Sequence, residues 1–345
     1  MWTAVKSSQK SLYDPPFNPT RQELSMVQIN PIQKHHLEDA AALVVHRYKK
    51  LCLVEPLLPD RYKHISNILP HLQSMYNAGS PGVVATHNGK LVGFFMSWMM
   101  EEFRGKKSTY SPEWANAAKL EDSKLIYQEM YQTLAAKWVA EGYIAHYITL
   151  FANDSAAITA CHWLGYGMFS IDAIRGMQPV PHKGTPVDIR LANSKNLKDI
   201  VALNQGLRDY MLGSPSFFIA DELLESYLQD WIDDPQKDIW LAYSEDEPVA
   251  FFRIGPANQD VSLIIIDEKT TSIYGAFTKE TKRGKHIAAS LLAKTIEIGQ
   301  SNGYQRCAVD FESMNTLGSR FWLRHFNPVC YSLVRYIDDR VVVKK

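Results

Sequence analysis

The alternation of apolar and polar residues divides the chain into two halves that predict the same order of elements. The segments VQINPIQKHHLEDAAALV, from Val27, and VDIRLANSKNLKDIVALN, from Val187, align without gaps. Each begins with alternating apolar residues, which predict a short strand, and continues with the spacing of an amphipathic helix. The match therefore indicates one supersecondary unit that is present twice.

Two further matches follow in the same order in both halves. VVATHNGKLVGFF, from Val83, and WLAYSEDEPVAFF, from Trp240, both predict a β-hairpin with a polar turn. NDSAAITACHWLGYG, from Asn153, and NTLGSRFWLRHFNP, from Asn315, both predict a helix that follows an asparagine and ends among aromatic residues. We therefore expect an α+β fold with a mixed α/β sheet, built from two tandem copies of one domain.

Composition sets the expected boundaries of these copies. Residues 1–26 are polar and contain three prolines, so we expect an N-terminal extension there. The segment GMQPVPHKGTPVD, residues 176–188, has the Pro and Gly content of a linker. The expected domains are 27–178 and 187–345, joined by a linker at 179–186.

The pattern also predicts individual elements. In the second copy the predicted strands are 187–191, 238–254 (a hairpin), 261–266, 271–278, 304–311 and 329–337. The predicted helices of this copy are 195–211, 220–232, 286–302 and 315–325. In the first copy, the segment from Lys124 to Glu141 predicts a long helix that begins without a glycine-rich loop.

Charge and cysteine content exclude several classes of protein. Among 345 residues, 37 Lys and Arg balance 37 Asp and Glu, whereas nucleic-acid-binding domains usually carry a basic excess. The four cysteines form no CxxC pair and have no zinc-ligand spacing, so we expect reduced thiols in a cytoplasmic protein without a metal. No apolar run approaches the roughly 20 residues of a membrane helix, and the N-terminus has no signal-peptide core.

The segment TKETKRGKHIAASLLAKTIEIG, residues 278–299, places basic residues where a helix is predicted to begin. The helix dipole disfavours cations at this end, so Lys282, Arg283 and Lys285 favour a bound anion over simple surface charge. Free backbone N–H groups at a helix start are themselves anion donors. The nucleotide motifs GxxxxGK[ST] and GxGxxG are both absent.

This loop resembles the acyl-CoA pyrophosphate loop of the GCN5-related N-acetyltransferase (GNAT) superfamily, Gln/Arg-x-x-Gly-x-Gly/Ala. Arg283 and Ala288 match its first and last positions, and His286 stands where the family usually has glycine. The strand CAVDFE, then Asn315 and an aromatic pair ending at Trp322, follow in the family's order. The resemblance covers residues 187–340, and it implies tandem GNAT-like acyl-CoA N-acyltransferase domains.

The resemblance implies that acetyl-CoA is the cosubstrate and that Asn315 contacts its pantetheine arm. The residues that it implies for acetyl-CoA binding are Phe277, Thr278, Arg283, Gly284, Lys285, His286, Ile287, Ala288, Asn315 and Trp322.

The family's tyrosine general acid corresponds to Trp322, whose indole cannot donate a proton in this way. Tyr331 and Tyr274 are the nearest replacements by chain position. Asp310 or Glu312 is a candidate base, because a base must remove a proton from the attacking ammonium. We take Glu312 and Tyr331 as the candidate catalytic pair, although either carboxylate is also compatible with a surface or salt-bridged group.

The first copy lacks the loop and is predicted to be degenerate. In this layout the chain resembles tandem acetyltransferases with one working half, such as the mycothiol synthase type. Six aromatic residues of this copy either line an acceptor pocket or, as we favour, mostly form core or inter-domain contacts: Trp98, Trp114, Tyr127, Tyr131, Trp138 and Tyr147.

The leading hypothesis is an N-acetyltransferase that moves acetyl from acetyl-CoA to a primary amine of a small molecule or peptide by direct attack. We expect a monomer or homodimer with no nucleic-acid or membrane partner. The alternative is a non-catalytic CoA-sensing or protein-interaction module on the same fold, which turnover of any amine would exclude.

Overall fold

The computed structural model describes residues 27–119, 123–181, 187–220 and 222–343. The expected N-terminal extension, residues 1–26, and residues 182–186 of the expected linker lie outside the described residues. Within the described ranges, no helix has the length and apolar character needed to cross a membrane.

Both copies mix helices and strands, which confirms the predicted α+β class. The first copy consists of β1 (Val27–Pro31), α1 (Leu37–Val54), α2 (Leu69–Asn77), β2 (Gly82–His87), β3 (Lys90–Met96), β4 (Trp98–Phe103), β5 (Lys106–Ser111), β6 (Asn116–Ala118), α3 (Ser123–Ala140), β7 (Ala145–Phe151), α4 (Ser155–Trp163) and β8 (Gly167–Gly176). The second copy consists of β9 (Asp188–Leu191), α5 (Leu197–Leu212), α6 (Glu225–Asp233), β10 (Asp238–Ser244), β11 (Glu247–Pro256), β12 (Thr270–Thr278), α7 (Ile287–Ser301), β13 (Arg306–Glu312), α8 (Thr316–His325), β14 (Asn327–Tyr336) and α9 (Arg340–Val343).

The repeated hairpins are equivalent in detail. The turn of β2–β3 has positive φ at Asn88 (50°) and Gly89 (72°), and that of β10–β11 has positive φ at Glu245 (55°) and Asp246 (62°). Two consecutive left-handed residues match the twist of the flanking strands in a two-residue hairpin. The same turn geometry therefore recurs with different residues.

One predicted strand is wrong. Residues 261–266 form a loop that contains a single 3-10 turn, Leu263–Ile265, and Ile264 and Ile265 are fully buried. They pack into the core around α1 and α2 of the first copy. A short apolar run is compatible with a strand or with any other buried segment, and here tertiary packing decides.

The two copies share one ten-stranded sheet, in the order β4-β5-β7-β14-β8-β13-β12-β11-β10-β9. A separate four-stranded sheet has the order β1-β2-β3-β6. The last strand of each copy lies beside a strand of the other copy, because β8 pairs with β13 and β14 pairs with β7. The last strands are thus exchanged, and each copy completes its sheet with its neighbour.

Strands β12 and β13 separate partway along their length. They pair in parallel from Thr270 opposite Arg306 to Ile273 opposite Val309. Beyond that point β12 continues on β11 and β13 continues on β8. An opening between two strands therefore lies in the middle of the large sheet.

The side chains on the two faces of β13 pack into two different cores. Val309 and Phe311 pack with the buried face of α7, whereas Ala308 belongs to the core around α1 and α2. Because side chains alternate along a strand, Asp310 also projects to the α1 and α2 side. The opening between β12 and β13 thus lies between helices of both copies.

Candidate functional site

A groove of about 140 Å³ lies beside the open end of β12, between α5, α7 and α8. Six of the ten predicted cofactor residues line it: Phe277, Thr278, Arg283, Ala288, Asn315 and Trp322. Their side chains come from a strand, a loop and two helices. The fold therefore gathers most of the predicted set at one place.

The basic loop has two left-handed residues, Gly284 at φ +77° and His286 at φ +61°. Histidine tolerates this conformation better than most non-glycine residues, although it carries some strain. The first helical hydrogen bond runs from the Ser290 N–H to the His286 carbonyl. Within the described part of the chain, the N–H groups from 284 to 289 find no acceptor, so they are free to bind an anion.

The cationic side chains of the loop differ in their positions. Arg283 donates from Nε to the Thr278 carbonyl at 3.1 Å, and its guanidinium lies 4.4 Å from the Tyr210 ring centroid. Lys282 donates from Nζ to Ser244 Oγ at 3.2 Å. Lys285 and His286 are exposed, whereas Ile287 is buried in the helix core. Arg283 is thus the cation that is fixed at the groove.

Asn315 joins the helix α8 to the groove. Its Oδ1 accepts from the Gly318 N–H at 3.0 Å, as an N-cap does, and from the Tyr210 hydroxyl at 2.9 Å. Sequence reasoning missed Tyr210, which lies on α5 far from the loop. The helical pattern of α5 contained no signal for it, because a half-exposed tyrosine at a helix end fits an ordinary surface.

The candidate acids lie at different depths. Trp322 is buried against Phe252, at a ring distance of 5.7 Å, and its indole carries no acidic proton. The Tyr274 hydroxyl donates to the Pro256 carbonyl, and burial raises the pKa of Tyr274 above its usual value. Tyr331 packs against the core on the α7 and α8 side without lining the groove, and burial raises its pKa too.

A larger cavity of about 570 Å³ lies on the other face of the sheet, between the two copies. The first copy supplies α2, β4, β5 and β7 to its wall, and the second supplies β13, β14 and the loop that precedes β12. The mispredicted segment 261–266 is part of this loop. We call this space the shared cavity.

Three carboxyl groups in the shared cavity have raised pKa values. Burial raises the pKa of Glu113 to about 7 and that of Asp172 to about 6. Asp310 is open to the cavity although it lies deep within the protein, and this depth, with Asp172 and other carboxylates nearby, raises its pKa well above the usual range. Glu312, the predicted base, follows on the same strand face but lines neither space.

The six aromatic candidates divide into two groups. Trp98, Trp114 and Tyr147 line the shared cavity. In contrast, Tyr127, Tyr131 and Trp138 lie in the core of the first copy, each 2% exposed or less. The sequence contained a partial signal, because Tyr127, Tyr131 and Trp138 fall within the helix predicted from Lys124 to Glu141 and the other three do not.

At the corresponding place, the described residues of the first copy form a packed core. Its helix α3 packs along α4 in one continuous core. The N-cap of α4 is Asp154, whose side chain accepts from the Ala157 N–H and forms an ion pair with Arg47. Asp154, one residue after the Asn153 that the repeat had suggested, thus has the place of Asn315 and is buried with a cation.

The four cysteines are free and buried. Among the described residues, no group of three or more His, Cys, Asp or Glu side chains is arranged to hold a metal ion.

Comparison with known proteins identifies the type of fold. Residues 205–326 match the sequence model described as "Acetyltransferase (GNAT) family". A GCN5-related N-acetyltransferase from Sphaerobacter thermophilus superposes with a TM-score of 0.58 at 10% identity, over 90% of this chain and 95% of that one. The GCN5-related glucosamine N-acetyltransferase region of a fungal multi-domain GH3 β-N-acetylglucosaminidase superposes with a TM-score of 0.53 at 14% identity, over 90% of this chain and 38% of that one. No curated protein shows a significant sequence match.

Proposed function

Because residues 205–326 form a domain of the acetyltransferase (GNAT) family, a fold that supports acyl transfer, we propose that the chain is an acetyl-CoA-dependent N-acetyltransferase. The observation that carries this proposal is the groove at the open end of β12, with Arg283 and the free N–H groups of the loop at its mouth. The proposed acceptor is a primary amine.

The second copy has the groups that a bound acyl-CoA requires. Free N–H groups at the start of α7, together with the dipole of a 15-residue helix, suit the pyrophosphate. Arg283 adds a fixed positive charge beside them. Asn315 and the groove wall around Trp322 suit the pantetheine arm, although His286 reduces the flexibility that a glycine would provide.

The opening between β12 and β13 connects the cofactor side to the acceptor side. Bound acetyl-CoA supplies an acetyl thioester, which a neutral primary amine attacks directly. Tyr274 is the extra residue of a bulge on β12, because Arg253 pairs with Gly275 and Ile254 pairs with Ile273. Beyond this bulge, any β12 N–H group that faces β13 has no partner on a described strand, so it can donate to the thioester carbonyl.

Asp310 is the group of this chain that we propose as proton acceptor, with Glu312 as the alternative on the same strand. Asp310 lies one residue beyond the last parallel pair and opens into the shared cavity. Burial raises its pKa well above the usual carboxyl value, which makes Asp310 a stronger base than an ordinary carboxylate. Tyr331 remains the candidate acid on the groove side.

The first test is acetyl-CoA binding by calorimetry. We expect Arg283→Glu to weaken binding at least about tenfold, because it replaces a charge-assisted contact by repulsion. Arg324→Glu is the matched control, since Arg324 is an exposed arginine at the far end of α8. Equal binding by wild type and Arg283→Glu would place the cofactor elsewhere.

The second test measures release of free thiol from acetyl-CoA with a panel of primary amines that includes glucosamine. Release that depends on an amine and is lost in Asp310→Asn supports the transferase. Binding without turnover of any amine would instead favour the alternative, a CoA-sensing module with Trp322 in place of a working acid.

A further inference from the structure

We propose that the shared cavity is a binding site for an organic dication or polycation, such as an aliphatic diamine or polyamine, held between the two copies. This inference rests on the proposed function in that it names the acceptor class. Its binding experiment, however, needs neither acetyl-CoA nor turnover.

Two carboxylates of the cavity lie directly opposite each other. Asp172 on β8 and Asp310 on β13 are paired residues of neighbouring antiparallel strands, and both line the cavity. Side chains in such pairs lie about 4.5–5.5 Å apart at Cβ, and like charges there repel each other. A pair of this kind is unfavourable for the empty protein and favourable for a cation between the two strands.

The carboxylates have few partners in the protein. Asp172 accepts from the Ser262 N–H at 3.0 Å and from Ser262 Oγ at 2.8 Å, which are neutral donors. The side chain of Asp310 forms no hydrogen bond or ion pair with another described residue. Neither group has a countercharge from a described lysine or arginine.

A third carboxylate, Glu113, is contributed by the first copy. It is 2% exposed, and its Oε1 accepts from the Ile264 N–H at 3.2 Å. The backbone N–H groups of Leu263 and of Glu113 itself also act on this carboxyl group, and its side chain lines the cavity. These donors are all neutral, so a buried carboxylate here remains costly, and an ammonium group in the cavity would supply the missing countercharge.

The other titratable groups near the cavity are of both signs, since the Arg104 guanidinium lies 4.4 Å from the ring centroid of Phe169, a residue of the wall. Asp260 adds a fourth carboxylate to the wall, and the tyrosines that line the cavity are neutral donors. His71 is the basic side chain of the wall, and burial lowers its pKa, which keeps the ring neutral near neutral pH. Arg61 lines only the adjoining groove, where it lies 5.2 Å from the Tyr62 ring centroid.

The aromatic walls suit the organic part of such a ligand. Trp98 and Trp114 face each other edge to face, with ring centroids 5.5 Å apart, and Tyr110 packs on Trp98. Aromatic faces attract ammonium groups and cover methylene chains at the same time. A volume of about 570 Å³ lies in the range of small-molecule sites, so a chain with two or more amino groups has room.

The test is calorimetric titration of the full chain, without acetyl-CoA, with cadaverine, spermidine and the neutral pentanediol. We expect the amines to bind and the diol not to bind. Asp310→Asn and Asp172→Asn should each weaken amine binding at least about tenfold, the effect of one charge-assisted contact. Glu268→Gln, which changes an exposed carboxylate outside the cavity, should leave it unchanged.

The inference is overturned if neither amine binds, if the diol binds as well as cadaverine, or if the two cavity variants bind like wild type. Circular dichroism checks that the variants fold. Should Asp172→Asn fail to fold because Ser262 loses an acceptor, Asp310→Asn alone decides, since Asp310 has no described partner to lose.

The outcomes separate this inference from the proposed function. Amine binding that depends on Asp310, without thiol release from acetyl-CoA, leaves the cavity site standing and rejects the transferase. If amines cause thiol release but bind equally well to the Asp310→Asn and Asp172→Asn variants, the transferase is supported and this cavity is rejected as the acceptor site. Arg283→Glu should lose acetyl-CoA binding and keep cadaverine binding.

Discussion

The two copies have the same order of elements, yet the space between the long helix and the next helix is open in one and packed in the other. In the second copy, α7 and α8 leave a groove with Arg283 and Asn315 at its edge. In the first copy, α3 packs along α4, and Asp154 forms a buried ion pair with Arg47. The comparison shows that a few side chains at the starts of helices decide whether a copy has an open groove or a packed core at this place.

The scaffold copy still contributes to the candidate chemistry. Its described residues form a packed core beside α3, but β4, β5, β7 and the segment around Glu113 form much of the shared cavity. Exchange of the last strands places β8 against β13 and brings Asp172 opposite Asp310. The first copy thus forms one wall of the cavity that the two copies share.

The largest expected effect concerns the buried ion pair of the first copy, between Arg47 and Asp154. Asp154→Asn keeps an N-cap acceptor but removes the charge that faces Arg47, so we expect a loss of about 3 kcal/mol in the free energy of unfolding, as for other broken buried pairs. Chemical denaturation measures it. Asp188→Asn is the control, because the Asp188–Arg190 pair is half exposed and worth about 1 kcal/mol or less.

A loss as small for Asp154→Asn as for the control would mean that the ion pair does not stabilise the packed first copy.

The stoichiometry of acetyl-CoA binding tests the same comparison between the two copies. We expect one molecule per chain for wild type and for Asp154→Asn, because the first copy has no glycine-bearing loop to bind a second.

The next effect concerns the pH dependence of stability at Glu113. Its folded pKa of about 7 lies above the usual value of 4.5, so the folded state holds this proton more tightly than the unfolded chain. The contribution to stability is therefore complete below about pH 4.5 and is lost as pH rises through about 7.

Glu113→Gln removes this dependence. We expect the variant's stability relative to wild type to rise by about 2–3 kcal/mol between about pH 5 and about pH 8, by linkage. Denaturation at both pH values measures it, and Glu268→Gln serves as the control. A relative stability that does not change with pH would show that Glu113 ionises in the cavity without penalty.

The smallest expected effect concerns the loop of the second copy. His286 has a left-handed backbone that glycine adopts freely. His286→Gly should raise the free energy of unfolding by about 0.5–1 kcal/mol through relief of strain. Acetyl-CoA affinity should stay within a factor of about three, because the backbone N–H groups remain. A large loss of affinity would instead assign the imidazole a direct contact.

Sequence determined the parts of this protein that depend on local pattern. The two copies, their hairpins and the strand–loop–helix around Gly284 follow from periodicity and turn chemistry, which neighbouring residues set. Six groove residues, including Arg283 and Asn315, were implied by the resemblance of the loop, the following strand and the next helix to the GNAT superfamily. The family resemblance of the second copy is confirmed by the match over residues 205–326.

Tertiary structure alone decided what depends on distant segments. The apolar residues at 261–266 became a cavity wall because they meet the first copy, and no local pattern distinguishes that from a strand. Tyr210 reached the groove, and Asp172 came opposite Asp310, through helix packing and strand exchange. Charge and burial act through space, so the shared cavity exists only when the two copies are folded together.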